Sequence, residues 1–75
     1  MRRGRKLIKF ETSIGWLKNY LALGFIIVKI LEMEDHFEVK LSNGSSYRSI
    51  VVPKIDSVPS KKAFMKLLQE LYHEA

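Results

Sequence analysis

Catalysis and metal binding both need titratable side chains gathered in a fixed geometry, and this chain offers few candidates. It has two histidines, His36 and His73. His36 lies among Glu34, Asp35 and Glu38, where a cation would meet one imidazole and several carboxylates. The set lacks the H-x-x-x-H spacing that puts two imidazoles on one helix face. The segment reads instead as an acidic, solvated turn. His73, near the end of the sequence, reads as a cation at the negative end of a helix. Ser42, Ser45 and Ser46 surround Asn43-Gly44, with no G-x-S-x-G elbow and no base beside them, so they read as turn formers. Glycines 4, 15, 24 and 44 form no phosphate loop. The expectation is a protein without catalytic residues, cofactor or metal, acting by binding.

The cations are more informative. The first nine residues, MRRGRKLIK, hold five basic side chains (Arg2, Arg3, Arg5, Lys6 and Lys9) and no acidic one. The net charge is +5, and the other sixty-six residues carry eight Lys/Arg against eight Asp/Glu. The whole excess therefore sits at the start. A basic arm over residues 1–5 would neutralise phosphates and release their counterions, or enter a minor groove. Lys61 and Lys62 open the last helical segment, where the free N–H groups already carry partial positive charge. Each cation there is disfavoured by about 0.3–1 kcal/mol, a sign that a bound phosphate would reverse. Lys66 lies one turn further along the same face. Tyr47 and Arg48 follow the Asn-Gly turn, where a basic, aromatic hairpin tip can reach a groove or a base.

These side chains need a scaffold. Seventy-five residues make a single domain. The absence of cysteine removes a disulfide framework and points to an intracellular, cytoplasmic setting. The longest uncharged run, YLALGFIIV, is far short of the ~20 residues that span a bilayer, and Lys9 and Glu11 interrupt any signal-peptide core. No membrane partner is expected. Residues 6–11 alternate and read as a short strand or extended lead-in. Residues 12–24 read as a helix, with Thr12 or Ser13 as N-cap and Gly24 as terminator. Ile14, Leu17 and Leu21 form one apolar stripe, and Trp16, Tyr20 and Leu23 an adjacent one.

Residues 25–34 are β-branched and read as a strand. Residues 36–42 alternate, with Phe37, Val39 and Leu41 on one side. Asn43-Gly44 is a strong hairpin signal because both residues tolerate φ > 0. Residues 45–52 form the returning strand, in a register that sets Val28 opposite Leu41 and Ile30 opposite Val39. Residues 60–75 form a helix with Phe64, Leu67, Leu68 and Leu71 buried. The expected fold is α+β, ordered (β)-α-β-β-β-α: a three-stranded antiparallel meander with two helices packed on one face.

This element order, with its hairpin and Ser60-Lys61-Lys62 at the last helix start, resembles the double-stranded RNA-binding domain across residues 12–75. The resemblance implies phosphate contacts from Lys61, Lys62 and Lys66, and a groove contact near Asp35-His36. The acidic turn and the MKLLQEL run depart from that family's Gly-Pro and His turn signature and its alanine-rich helix, which leaves an analogy of topology. The leading expectation is a nucleic-acid-binding protein, for DNA or RNA, using Arg2, Arg3, Arg5, Lys6, Lys61, Lys62, Lys66, Tyr47 and Arg48. The alternative is a protein-interaction module or a small regulator of the kind viruses and mobile elements encode, acting as a homodimer or on a partner through Trp16, Tyr20 and Leu23.

Overall fold

The structure is a computed structural model that describes residues 2–74, with side chains described for residues 5–73. Helix α1 spans Arg2–Ala22, strands β1, β2 and β3 span Ile26–Glu32, His36–Ser42 and Tyr47–Pro53, and helix α2 spans Lys61–Glu74. The strands form one antiparallel sheet in the order β1-β2-β3. The α-β-β-β-α order and the meander match the expectation.

The start of α1 does not. Residues 2–5, read as an arm, and 6–11, read as a short strand or extended lead-in, belong to the helix. Alternation over KLIKFE is short. A 3.6-residue period through Phe10, Ile14, Leu17 and Leu21 is longer, and it buries Phe10 and Leu17 in the core and packs Ile14 and Leu21 against it. Ser13 is therefore not an N-cap; its hydroxyl donates to the Val51 carbonyl at 2.9 Å, on the free edge of β3. Gly24 does end the helix, at φ 94°. The Phe25 N–H donates to the Tyr20 carbonyl and the Gly24 N–H to the Leu21 carbonyl, the paired bonds of a Schellman motif. The Tyr20 and Phe25 rings meet edge-on at 5.1 Å across it.

The inner sheet face carries Phe37, Val39 and Leu41 from β2, all fully buried, with Val52 and Ile50 from β3 and Ile27 and Ile30 from β1. Ile30 pairs with Val39 as expected. Val28 does not face Leu41: a register shift between Ile27 and Lys29 sets Ile27 opposite Leu41, and Val28 is left exposed. Both helices pack on this face, α1 along β3 and α2 along β1. The Phe64 ring of α2 stacks on Phe37 at 4.5 Å and 10°.

The Asn-Gly turn is a four-residue loop, because Ser42 pairs with Tyr47. Gly44 alone takes a positive φ, and the Asn43 side chain accepts from the Ser45 and Ser46 N–H groups. The last helix starts at Lys61, with Ser60 as N-cap accepting from the Ala63 N–H.

Each helix also blocks a sheet edge. Ser13 binds the Val51 carbonyl on β3, and the Tyr72 hydroxyl of α2 accepts from the Ile27 N–H on β1 at 3.4 Å. No helix among the described residues is long and apolar enough to cross a membrane.

Leu17 is fully buried where α1 meets the sheet. Leu17→Ala is expected to cost about 2–5 kcal/mol, a large part of the ~4–11 kcal/mol typical of a chain this size. Urea denaturation followed by circular dichroism checks this, and a loss under 1 kcal/mol would contradict the packing described.

Candidate nucleic-acid interface

The end of β1, the start of β2, the end of β3 and the first turn of α2 all lie at one end of the sheet. The N-terminal half of α1 reaches the same end: Lys6 and Leu7 line a depression with Lys54, Ile55, Asp56 and Ser57. Lys6 and Lys54, from separate segments, therefore meet there beside Asp56, and Lys61 opens α2 at the same end with its N–H on Glu32. Arg5 and Lys9 are exposed on the same part of α1. The side chains of Arg2 and Arg3 lie outside the described ones.

An acidic group sits in the middle of this corner. Glu32, on the inner face opposite Phe37, accepts from Lys54 Nζ at 2.9 Å and from the Lys61 backbone N–H at 2.9 Å. The Lys54 hydrogen bond, and then that from Lys61, hold the Glu32 carboxyl below the ordinary glutamate range. Lys54 also lies 5.5 Å from the centre of the Phe37 ring. The anion that the α2 start lacks in its own first turn is thus supplied by β1. Lys62 and Lys66 remain exposed on α2 with no ion pair among the described residues.

The neighbouring turn is pinned similarly. His36 Nδ1 donates to Asp35 Oδ1 at 2.6 Å, which with nearby Lys6 keeps the Asp35 carboxyl below its usual range. The Lys54 N–H donates to the Asp35 carbonyl at 3.0 Å. No group of three metal-ligating side chains forms among the described residues.

Tyr47 and Arg48 are not part of this corner. They lie at the opposite end of β3, and they point to opposite faces. Arg48, opposite Leu41, turns inward; its guanidinium sits 6.0 Å from the Phe25 ring centre and donates to the Tyr47 carbonyl at 2.7 Å. Tyr47 stands on the outer face, 75% exposed. Trp16, expected within a broad apolar face of the helix, is 55% exposed, and Leu23 is 65% exposed. Tyr20 packs against the core, between Trp16 and Phe25.

One feature of the outer sheet face and one cation of α1 lie beyond the sites read from the sequence. Lys29 pairs directly with Lys40 across β1 and β2. Outward alternation of Lys40 was visible in the sequence, but the bulge that brings Lys29 opposite it was not. Lys9, part of the opening basic run, is exposed on α1.

Comparison with protein-family models, curated proteins and solved structures finds no match.

The Glu32 contacts fix a pH dependence. A carboxyl with a depressed folded-state pKa stabilises the fold above its unfolded pKa, and that contribution is lost as pH falls. Glu32→Gln is therefore expected to lower Tm most at neutral pH. The gap to wild type should close as pH falls through and below about 4.3, the ordinary glutamate value. A gap that does not change with pH in thermal melts would refute the assignment.

Proposed function

We propose that this protein binds nucleic acid chiefly through phosphate contacts, in a cytoplasmic setting and without catalysis. The observation that carries this reading is that cations from distant segments meet at one end of the sheet: Lys6 of α1 shares a depression with Lys54, Arg5 and Lys9 are exposed on the same part of α1, and Lys61 opens α2 at that end, its N–H on Glu32. Arg5, Lys9, Lys62 and Lys66 have no ion pair among the described residues. Their charge is available to an external anion at no cost to an internal contact. Arg2 and Arg3 extend the run by sequence. The Glu32 carboxylate weakens the case for a phosphate seated on the α2 start itself. Lys61, Lys62 and Lys66 then act as side-chain contacts only. Arg48, turned onto Phe25, contributes least.

Neutralising about five phosphates gives a log–log salt slope near −4.5 on duplex DNA. Each of Arg5→Gln, Lys6→Gln and Lys9→Gln is expected to reduce that slope by about 1. Anisotropy titrations over a salt series measure it. A slope near zero, or no binding at low salt, would overturn the reading.

A second reading rests on its own observation. Trp16 on α1 and Leu23 just after it are both more than half exposed, and large apolar side chains left in water favour a protein contact or a homodimer. Light scattering on wild type and Trp16→Ala tests it. A dimer lost on substitution, with nucleic-acid binding intact, would assign that surface to protein.

A further inference from the structure

The sheet's outer face has no helix over it. Register places Ile26, Lys29 and Leu31 of β1, Glu38 and Lys40 of β2, and Tyr47, Ser49 and Val51 of β3 on it. Ile26, Tyr47 and Val51 are exposed to 60, 75 and 54%. At the β3 border this face continues into a groove against α1. Trp16, Ser13 and Tyr20 line the groove opposite Ser49, Ile50 and Val51. Further along, Lys6, Ile8, Lys9 and Thr12 line it opposite Val51 and Pro53. One surface thus runs from the basic half of α1, past Trp16, along β3 to Tyr47.

We propose that this surface seats a single-stranded nucleic acid, its phosphates on Lys6, Lys9 and Lys29 and its bases stacked on Trp16 and Tyr47. The proposal rests on the phosphate-binding reading above and names its ligand form. Three observations favour this occupant. Both aromatic rings are more than half exposed, and stacking needs an open ring face. They flank the same strand: Tyr47 and Val51, beside which Trp16 sits, are four residues apart, or about 13 Å along a strand, a span that suits successive bases of an extended chain better than one small ligand. Lys29 directly opposes Lys40, a like-charge cross-strand pair that is unfavourable alone. Glu38 lies 3.3 Å from Lys40 and offsets it; Lys29 has no ion pair among the described residues. An anion over this pair turns the local cost into a gain. Of the acidic groups nearby, Glu38 is paired with Lys40, and Asp35, which lines the groove, accepts a hydrogen bond from His36 and has Lys6 close by.

Trp16 is the only tryptophan, so its fluorescence reports on that position alone. The full chain is titrated with a short oligothymidylate, with an abasic oligomer of equal phosphate count, and with a DNA duplex, at low and at physiological salt. Anisotropy of the labelled nucleic acid is read alongside Trp16 emission. The oligothymidylate is expected to quench Trp16 and bind at least about ten-fold tighter than the abasic strand. Tyr47→Ala is expected to weaken oligothymidylate binding by about 5- to 150-fold, with duplex and abasic affinity changed less than two-fold. If all three ligands bind with steep salt dependence but neither quenching nor a Tyr47 effect appears, phosphate binding stands and the stacking surface falls. If none binds, both fall. If instead the protein self-associates and Tyr47→Ala or Trp16→Ala dissolves the oligomer with no strand bound, the surface belongs to a second copy and the proposal is overturned.

Discussion

Both helices lie on one face of the three-stranded sheet, so only that face is buried, and most of this structure follows from that arrangement. The inner face takes Phe37, Val39, Leu41 and Val52 to complete burial, and both helices are spent covering it. Nothing in the described chain is left for the outer face. Apolar side chains there, such as Ile26 and Val51, remain in water beside Lys29 and Lys40. A small domain buries only about 60% of the surface its unfolded chain exposes. What distinguishes this one is that the uncovered part is a whole sheet face bordered by exposed aromatics and cations.

Charge is handled by the same economy. Glu32 projects from the inner face at the end of β1 and joins three segments through two hydrogen bonds: its own strand, the connector through Lys54, and the first turn of α2 through Lys61. With its side chain 37% exposed, the ion pair is partly screened. Its main effect is positional: it ties the connector and the α2 start to the sheet. The lysines at the helix start looked costly from the sequence because their compensating anion is twenty-nine residues away.

What was legible in the sequence was whatever local chemistry decides. The limits of β2, the Gly24 terminator, the Phe64–Leu68–Leu71 stripe and the α-β-β-β-α order rest on periodicity and on residues with special backbone freedom. What escaped depends on distant partners. KLIKFE alternates as a strand would, and only burial of Phe10 against the core draws it into α1. The bulge after Ile27 trades Val28 for Ile27 on the inner face, and no spacing rule announces it. Tyr47 and Arg48, adjacent in sequence, were grouped as one contact, yet strand alternation sends them to opposite faces. For the candidate site, the basic run of α1 was visible at once, while its meeting with Lys54 and the Lys29–Lys40 opposition required the register.

The two hydroxyl contacts at the sheet margins carry a further consequence. An unpaired strand is a template for another copy to zip onto, and β1 and β3 are the outermost strands here. Ser13 plugs one acceptor on β3, and Tyr72, in the final turns of α2, plugs one donor on β1. Fraying of that last turn would bare β1 and pull Leu71 out of the core. Protection of β1 against fibrous polymerisation thus hangs on the last turn of α2.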